Sequence, residues 1–192
     1  MSEPRTAPLV VGIGGSGTPG SATERALSTA LDEAARMGAR VRLFGGAFLS
    51  DVPMFRPRQS ARVWSAVELL DCVAMADGII LATPSYHGGV SALVKNALDY
   101  LEDLRAHDRP YLDGRAVGCV VTSSGAQAGG TTLAAMRSIV HALRGWPTPL
   151  GVTLNTAEPA EDLGAGSLRM MATQVVEFAT LFGARGPVGA RR

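Results

Sequence analysis

Three loops made mostly of small, uncharged residues carry the side chains that could do chemistry in this sequence. The first loop, residues 14–21, is GGSGTPGS and links the apolar run Leu9–Ile13 to a helical pattern. A loop of this kind offers backbone N–H groups and hydroxyls at a helix N-terminus, where a phosphate is stabilised. The predicted phosphate ligands are Ser16, Thr18, Ser21, Ala22 and Thr23.

The second and third loops follow two further apolar runs, at Pro84–Val90 and Ser123–Gly130. Carboxyl ends of parallel strands lie at one edge of a sheet, and ligands bind there, where the strand order reverses. We therefore expect the three loops to line one site. The predicted ligand-binding residues of the second and third loops are Pro84, Ser85, Tyr86, His87, Gly88, Ser123, Ser124, Gly125 and Gln127.

The first loop also matches the dinucleotide pattern GxGxxG over Gly12–Gly17, but its context disagrees with that pattern. The capping box Ser21-x-x-Glu24 places the helix start directly after Ser21, so Gly17 still lies in the loop. A dinucleotide-binding fold also needs an acidic residue after the second strand. The predicted second strand, Arg40–Phe44, is followed by two glycines instead. A Rossmann dehydrogenase is therefore a disfavoured alternative.

Apolar runs alternate with helical patterns along the chain. The strands are predicted at residues 9–13, 40–44, 78–83, 116–122 and 150–154, and the helices at 22–37, 61–76, 91–104, 131–143 and 167–182. This alternation predicts a doubly wound α/β domain over residues 1–192, with a five-stranded parallel sheet and helices on both faces. The ends, residues 1–8 and 184–192, are predicted to be flexible.

The apolar side chains of three segments carry further predictions. The second helix is predicted to bury one side that carries Val63, Trp64, Val67, Leu70 and Val73 or Ala74. The Phe48–Phe55 loop and the Val94–Leu104 helix are candidate interface material between copies of the chain.

Composition excludes several classes of protein. The net charge is +1 and no basic stripe is present, so no nucleic-acid partner is expected. No apolar run is long enough to span a membrane and no signal sequence is seen, so a cytoplasmic location is expected. Two cysteines and three histidines lack metal-ligand spacing, so no metal site is expected. The loops hold no carboxylate pair, and no catalytic side chain is predicted.

A phosphate-binding loop beside loops that could line a flat ring, with few acid–base groups, is typical of a site where a cofactor does the chemistry. FMN has this combination of a terminal phosphate and a flat ring.

The sequence resembles the NAD(P)H-dependent FMN reductases of the flavodoxin-like fold over about residues 9–156. The first loop is similar to the family's phosphate loop, G-S-x-R-x-x-S-x-[ST], although Thr18 stands where the family often has arginine. Thr83-Pro84-Ser85-Tyr86, followed by Lys95-Asn96 and Asp99, is similar to a second family segment, and Ser123–Gly130 lies at the position of its last flavin loop. The resemblance implies the strand order 2-1-3-4-5.

The resemblance also implies the activity, a flavin reductase that passes hydride from the nicotinamide of NADPH or NADH to N5 of FMN. Reduced FMN could then supply a partner monooxygenase. The alternatives are an FMN-dependent quinone, azo or metal-oxyanion reductase and, from another class, a non-enzymatic electron carrier of flavodoxin type. The family implies a homodimer or homotetramer. Lys95, Asn96 and Asp99 are expected to support the flavin loop. Arg42, Arg56 and Arg58 are candidates for a nucleotide 2′-phosphate.

The absence of an arginine at position 18 removes a charge-assisted partner of the phosphate. FMN is therefore expected to bind loosely and to exchange, with Arg25 as a candidate substitute cation.

Overall fold

The computed structural model of the chain describes residues 7–59, 61–157 and 164–182. The predicted flexible ends lie outside the described residues, apart from residues 7 and 8. The backbone carbonyls of these two accept hydrogen bonds from Arg40, at 3.4 Å from its Nε and 2.9 Å from its backbone N.

The fold is an α/β fold around one twisted sheet. The strands are β1 (Leu9–Gly14), β2 (Arg40–Phe44), β3 (Gly78–Tyr86), β4 (Gly89–Val90), β5 (Ala116–Ser123), β6 (Trp146–Pro147) and β7 (Val152–Asn155). The helices are α1 (Ala22–Arg36), α2 (Gly46–Ser50), α3 (Trp64–Met75), α4 (Ala92–Asp99), α5 (Ala126–Ala142) and α6 (Ala165–Phe182), and a 3-10 turn, Tyr100–Leu104, extends α4.

Parallel pairing runs in the order β2-β1-β3-β5, and both β6 and β7 pair with β5. With the antiparallel β4, the sheet has seven strands. The prediction of a five-stranded sheet with order 2-1-3-4-5 is therefore confirmed only in part. Two features account for the difference. The last predicted strand, residues 150–154, corresponds to β7, and β6 is an additional short strand separated from β7 by a segment containing Pro149; β3 also turns back into the short antiparallel β4. Proline cannot donate to the ladder and so interrupts an edge strand.

Side chains alternate across the sheet and form two cores. Val11, Ile79 and Val121 pack with α2, α3, α4 and α5 on one face. Val10, Ile80 and Val120 pack with α1 and α6 on the other. Strands with such unbroken apolar runs are buried on both faces, as parallel strands between two helical layers are. The predicted helices on both faces are therefore confirmed.

The face that helix α3 buries differs in part from the predicted face. Trp64 is 74% exposed and Val63 and Val67 are also exposed, whereas Ala66, Leu69 and Val73 are buried. The prediction for the buried side of this helix was therefore wrong for Val63, Trp64 and Val67 and right for Leu70 and Val73, which are buried. Ala66, Leu69 and Val73 have the i, i+3, i+7 spacing of one helix face. Val63 precedes the helix and Trp64 is its first residue, and neither lies on that face.

The predicted interface segments are largely covered within the chain. Leu49 and Val52 of the first segment and Val94, Leu98 and Leu101 of the second are buried in the core. In the first segment Met54 is 70% exposed. Among the helices of the described ranges, none is long and apolar enough to cross a membrane.

Candidate functional site

The first loop joins the carboxyl end of β1 to the N-terminus of α1. Helix α1 begins at Ala22 as predicted, because the Ser21 Oγ accepts a hydrogen bond from the Glu24 N–H at 3.3 Å. The other half of the capping box differs from its usual form. The Glu24 carboxylate accepts from the Gly20 N–H at 2.8 Å, since the Ser21 N–H is already donated to the Thr18 carbonyl.

Backbone N–H groups of the first loop divide into used and available donors. Those of Gly15, Thr18, Gly20 and Ser21 donate to protein acceptors. Within the part of the chain that the structure describes, no protein acceptor takes the N–H groups of Ser16, Gly17, Ala22 and Thr23. Unused N–H groups at a helix N-terminus are the donor set that a phosphate monoester needs. The loop therefore fits the phosphate that the sequence predicts.

The hydroxyls of the first loop differ in their surroundings. Thr18 is exposed, and the Ser16 Oγ accepts from the Thr18 N–H at 3.2 Å. Thr23 is buried, and its hydroxyl shares a hydrogen bond of 2.6 Å with that of Thr122 at the end of β5. The Thr23 hydroxyl therefore ties α1 to the sheet, and its N–H is the group left available to a ligand.

The N-terminus of α2 packs against the first loop. An added Cβ on Gly46 would lie 1.9 Å from the Ser16 carbonyl oxygen, and one on Gly15 would lie 2.6 Å from the Gly46 backbone N. Only two residues without side chains allow the two backbones to approach this closely. Residues of α2 thus set the position of the loop.

The second loop is a hairpin and not an irregular loop. Strand β3 continues through Pro84 and Ser85 to Tyr86, because Pro84 pairs with Thr122 in the β5 register and Ser85 pairs with β4. The turn is His87-Gly88, with φ of 54° and 76°. Two successive positive φ values define the tight turns that join antiparallel strands. Tyr86 and His87 are exposed at the tip.

The third loop is shorter than predicted, since α5 begins at Ala126 and not at Thr131. Gly129 and Gly130 lie inside this helix and their low helix propensity caused the error. Gln127 therefore belongs to the first turn of α5, where it is exposed together with Ser124. The Ser123 hydroxyl donates to the Gly125 carbonyl at 2.8 Å. The third loop thus ends at another helix N-terminus at the same edge of the sheet.

Two sets of hydroxyl contacts, one buried and one partly buried, connect the elements that carry the three segments. Thr23 to Thr122 joins the first loop to β5, and the Ser85 hydroxyl lies 2.7 Å from that of Thr132 and 3.1 Å from the Ala128 carbonyl on α5. Thr122 and Thr132 were missed by sequence reasoning. The sequence did contain a signal for them, because each is a polar residue within a run that is otherwise apolar or helical. Such a residue, when buried, has a hydrogen-bond partner.

Ionisable groups are few at the site. Glu24 and Arg25 lie beside the first loop, and the Arg25 guanidinium donates to the Gly20 carbonyl at 2.5 Å. Among the described residues no three His, Cys, Asp or Glu side chains group as metal ligands do. Neither cysteine lies in the three segments, and burial raises the pKa of Cys119 to about 12, so its thiol is protonated at neutral pH.

The residues expected to support the flavin loop have separate roles. Lys95 and Asp99 form an ion pair at 2.5 Å, as their i, i+4 spacing predicts. Asn96 is buried, accepts from the Phe55 N–H at 2.8 Å and donates to the Pro53 carbonyl at 3.0 Å. Asn96 therefore holds the segment that follows α2.

Next to this segment is a cavity of about 470 Å³ that is widely open to solvent and is lined by the exposed residues Arg56, Pro57, Arg58 and Gln59. The third candidate for a nucleotide 2′-phosphate, Arg42, is ion-paired with Glu68. Its charge is thus partly compensated, whereas no ion pair of Arg56 or Arg58 is found in the described part of the chain.

Comparison with known proteins adds to this geometry. The sequence model of a family described as NADPH-dependent FMN reductase matches residues 8–158. An NADPH azoreductase of Bacillus sp. (strain OY1-2) is 36% identical over 63 residues, which are 32% of this chain and 35% of that protein. An FMN-dependent NADPH-azoreductase of Staphylococcus aureus is 32% identical over 95 residues, 50% of this chain and 47% of that protein. The chain thus spans less than half the length of these two relatives.

Solved structures with the same fold share little sequence with this chain. An NADH:FMN oxidoreductase in its apo form aligns with a TM-score of 0.71 at 20% identity, over 97% of both chains. An oxidoreductase from Corynebacterium diphtheriae aligns with a TM-score of 0.73 at 18% identity, over 92% of this chain and 97% of that one. A flavodoxin, WrbA-like protein from Agrobacterium tumefaciens also aligns, with a TM-score of 0.66 at 17% identity over 92% of this chain. At such identities the likeness establishes a flavodoxin-like α/β fold and nothing finer.

Proposed function

Because this chain belongs to the NADPH-dependent FMN reductase family, we propose that it is an NAD(P)H:FMN oxidoreductase, and that hydride passes from the nicotinamide to N5 of the flavin. The cofactors of the family are FMN and NADPH. The observation that carries the proposal is the set of four unused N–H groups, on Ser16, Gly17, Ala22 and Thr23, beside the edge where the hairpin and α5 meet.

The proposed cofactor-binding residues fall into two groups. Ser16, Thr18, Ser21, Ala22 and Thr23 hold the phosphate through backbone N–H groups and hydroxyls. The hairpin and the start of α5 line the ring of the flavin with Pro84, Ser85, Tyr86, His87, Gly88, Ser123, Ser124, Gly125 and Gln127.

Bound FMN supplies the redox chemistry, and the chain supplies position and hydrogen-bond donors. The N-terminal N–H groups of α5, near Ala126 and Gln127, carry a partial positive charge that favours electron density on the ring atoms they face. The Ser85–Thr132 hydrogen bond keeps the hairpin and α5 at a constant separation. No side chain is needed as a proton relay for hydride transfer itself.

We assign the nucleotide's 2′-phosphate to Arg56 and Arg58. Both line the cavity beside the segment that Asn96 anchors, and guanidinium groups bind phosphate monoesters by paired hydrogen bonds. This assignment makes NADPH the preferred nucleotide.

Two acceptors of the electrons are compatible with the site. Reduced FMN could leave and serve a partner monooxygenase, which agrees with the missing arginine at position 18. Reduction of an azo compound, quinone or metal oxyanion on bound flavin is favoured by the azoreductases among the relatives. A flavodoxin-type electron carrier would not oxidise the nucleotide at all.

Steady-state oxidation of NADPH and NADH, followed by absorbance, tests the proposal. Turnover that saturates with added FMN supports a flavin reductase, and turnover that requires an azo dye or a quinone supports the second candidate. Absence of nucleotide oxidation with every acceptor, by protein that binds FMN, contradicts both. Extensive desalting tests loose binding, because protein that stays stoichiometrically yellow would contradict it.

A homodimer or homotetramer is proposed on the exposure of large apolar side chains. Trp64, Met75 and Trp146 are each more than half exposed in the single chain. Light scattering that gave the mass of a monomer would contradict this assembly. The single domain over residues 1–192 and the cytoplasmic location stay predictions from the sequence.

A further inference from the structure

Glu24 places a negative charge against the loop that is proposed to hold a phosphate. Its Oε2 accepts from the Gly20 N–H at 2.8 Å. Its Oε1 lies 2.8 Å from the position that a Cβ on Gly45 would take, at the start of α2. The carboxylate therefore lies between the first loop and α2, on the residue directly after Thr23, whose N–H group is unused.

We propose that Glu24 is a specificity-determining residue that weakens the binding of phosphorylated flavin, and so narrows the preference for FMN over riboflavin; this rests on the proposed phosphate site. The carboxylate uses a loop N–H that a phosphate could otherwise take. It also repels the phosphate. Thr18 adds no cation to offset that repulsion, and the Arg25 guanidinium, bonded to the Gly20 carbonyl, offsets it in part.

The position of Glu24 gives it two separable effects, one from its charge and one from its hydrogen bond. The hydrogen bond to the Gly20 N–H shapes the loop for any ligand. The charge acts on the phosphate and not on the flavin ring, because the ring is proposed to lie at the hairpin and α5. Replacement by glutamine removes the charge and keeps an oxygen acceptor at the same reach. Replacement by aspartate keeps the charge and shortens the side chain.

Dissociation constants of FMN and riboflavin, measured by quenching of flavin fluorescence, test the proposal. Glu24→Gln is expected to bind FMN about tenfold more tightly, from the repulsion between a carboxylate and a phosphate dianion a few ångströms apart near solvent. Riboflavin binding is expected to stay within about twofold. The gain with FMN shrinks at high ionic strength, because salt screens this repulsion. Glu24→Asp is expected to keep the wild-type ratio of the two dissociation constants.

A matched control is Glu33→Gln, which removes the same charge from α1 at a residue ion-paired with Arg36. It should leave both dissociation constants unchanged. Equal changes for FMN and riboflavin in Glu24→Gln, or no change for FMN, would overturn the proposal and leave Glu24 a structural residue. Should Glu24→Gln fail to fold, the aspartate variant decides: a ratio shifted toward FMN although the charge is kept would equally overturn it. Failure of the proposed flavin site differs, since the wild-type protein would then bind neither flavin.

Discussion

At the scale of single residues, the first loop departs from the phosphate-loop pattern that it resembles in the charge at position 18. The first loop keeps the capping serine, Ser21, and the unused N–H groups, yet Thr18 is a neutral residue at the position where the family often has arginine. Arg25 contacts the loop through the Gly20 carbonyl, so a cation is present from a neighbouring position. The positive charge of Arg25 is nearly balanced by the negative charge of Glu24. The loop therefore has little net charge to attract a dianion.

Thr18→Arg is expected to tighten FMN binding. Thr18 is exposed at the loop, and a charge-assisted hydrogen bond contributes about 1.5–3 kcal/mol, on the order of tenfold or more in Kd. Fluorescence titration measures the effect, with riboflavin as the ligand that lacks the phosphate. Thr173→Arg on α6 adds the same charge far along the chain and serves as the control. A variant that binds FMN no better than wild type would show that residue 18 does not face the phosphate.

At the scale of elements, the first loop is positioned by α2 as well as by β1 and α1. The contact depends on Gly46, whose missing side chain lets the Ser16 carbonyl approach the start of the helix. The hairpin is positioned in the same way from the other side, by the Ser85–Thr132 hydrogen bond to α5. The first loop and the hairpin are therefore each positioned by a helix that is distant from them in sequence.

Gly46→Ala is expected to weaken FMN binding, because the added methyl group would overlap the Ser16 carbonyl and displace the first loop. Such overpacking costs about 1–3 kcal/mol, divided between stability and ligand affinity. Thermal unfolding and FMN titration together measure it. Gly166→Ala in α6, where no atom lies within 4 Å of the added Cβ, is the control. Unchanged FMN affinity in Gly46→Ala would mean that the loop moves without loss of its ligand.

Removal of both cavity arginines, Arg56→Ala with Arg58→Ala, is expected to raise the KM for NADPH about tenfold and to leave that for NADH unchanged. Only NADPH carries the 2′-phosphate. Both arginines are exposed, and an exposed charge pair contributes about 0.2–1 kcal/mol, so the two together contribute on the order of tenfold. Steady-state kinetics with both nucleotides measures the ratio. Arg36→Ala, an exposed arginine on α1, controls for the loss of positive charge. Equal effects on the two nucleotides would contradict the assignment.

At the scale of the whole molecule, a buried cation joins the end of α3 to the segment that precedes β5. Arg115 is fully buried at the start of β5, and its guanidinium donates to the carbonyls of Ala76 at 2.8 Å and Ala74 at 2.6 Å, at the C-terminal end of α3. It also donates to those of Tyr111 and Asp113, each at 3.3 Å. Burial lowers the pKa of Arg115 to about 10, so the group stays charged at neutral pH. Its positive charge is stabilised by the negative end of the α3 helix dipole.

Arg115→Ala is expected to destabilise the fold by about 3 kcal/mol or more, because it leaves buried carbonyls without donors. Chemical denaturation measures this loss. Arg105→Ala is the control, since that side chain is 75% exposed and its ion pair with Glu102, at 3.5 Å, contributes at most about 1 kcal/mol. Similar destabilisation in both variants would mean that the buried hydrogen bonds add little to stability.

The sequence by itself determined the features that are local along the chain. The start of α1 at Ala22, the strand Arg40–Phe44 and the alternation of strands with helices follow from capping residues and hydrophobic period, which act between near neighbours. The family also follows, since its motifs are contiguous. The predicted site residues remain predictions, although the structure brings all three of their segments to one edge of the sheet.

Only the tertiary structure decided what depends on partners distant in sequence. The continuation of β3 through Pro84 depends on its pairing with β5, and the break between β6 and β7 depends on an edge position. Contacts between Thr23 and Thr122, or between Gly46 and Ser16, join residues that no local pattern relates. For the same reason Glu24, a capping residue in the sequence, becomes in the folded chain a charge beside the proposed phosphate site.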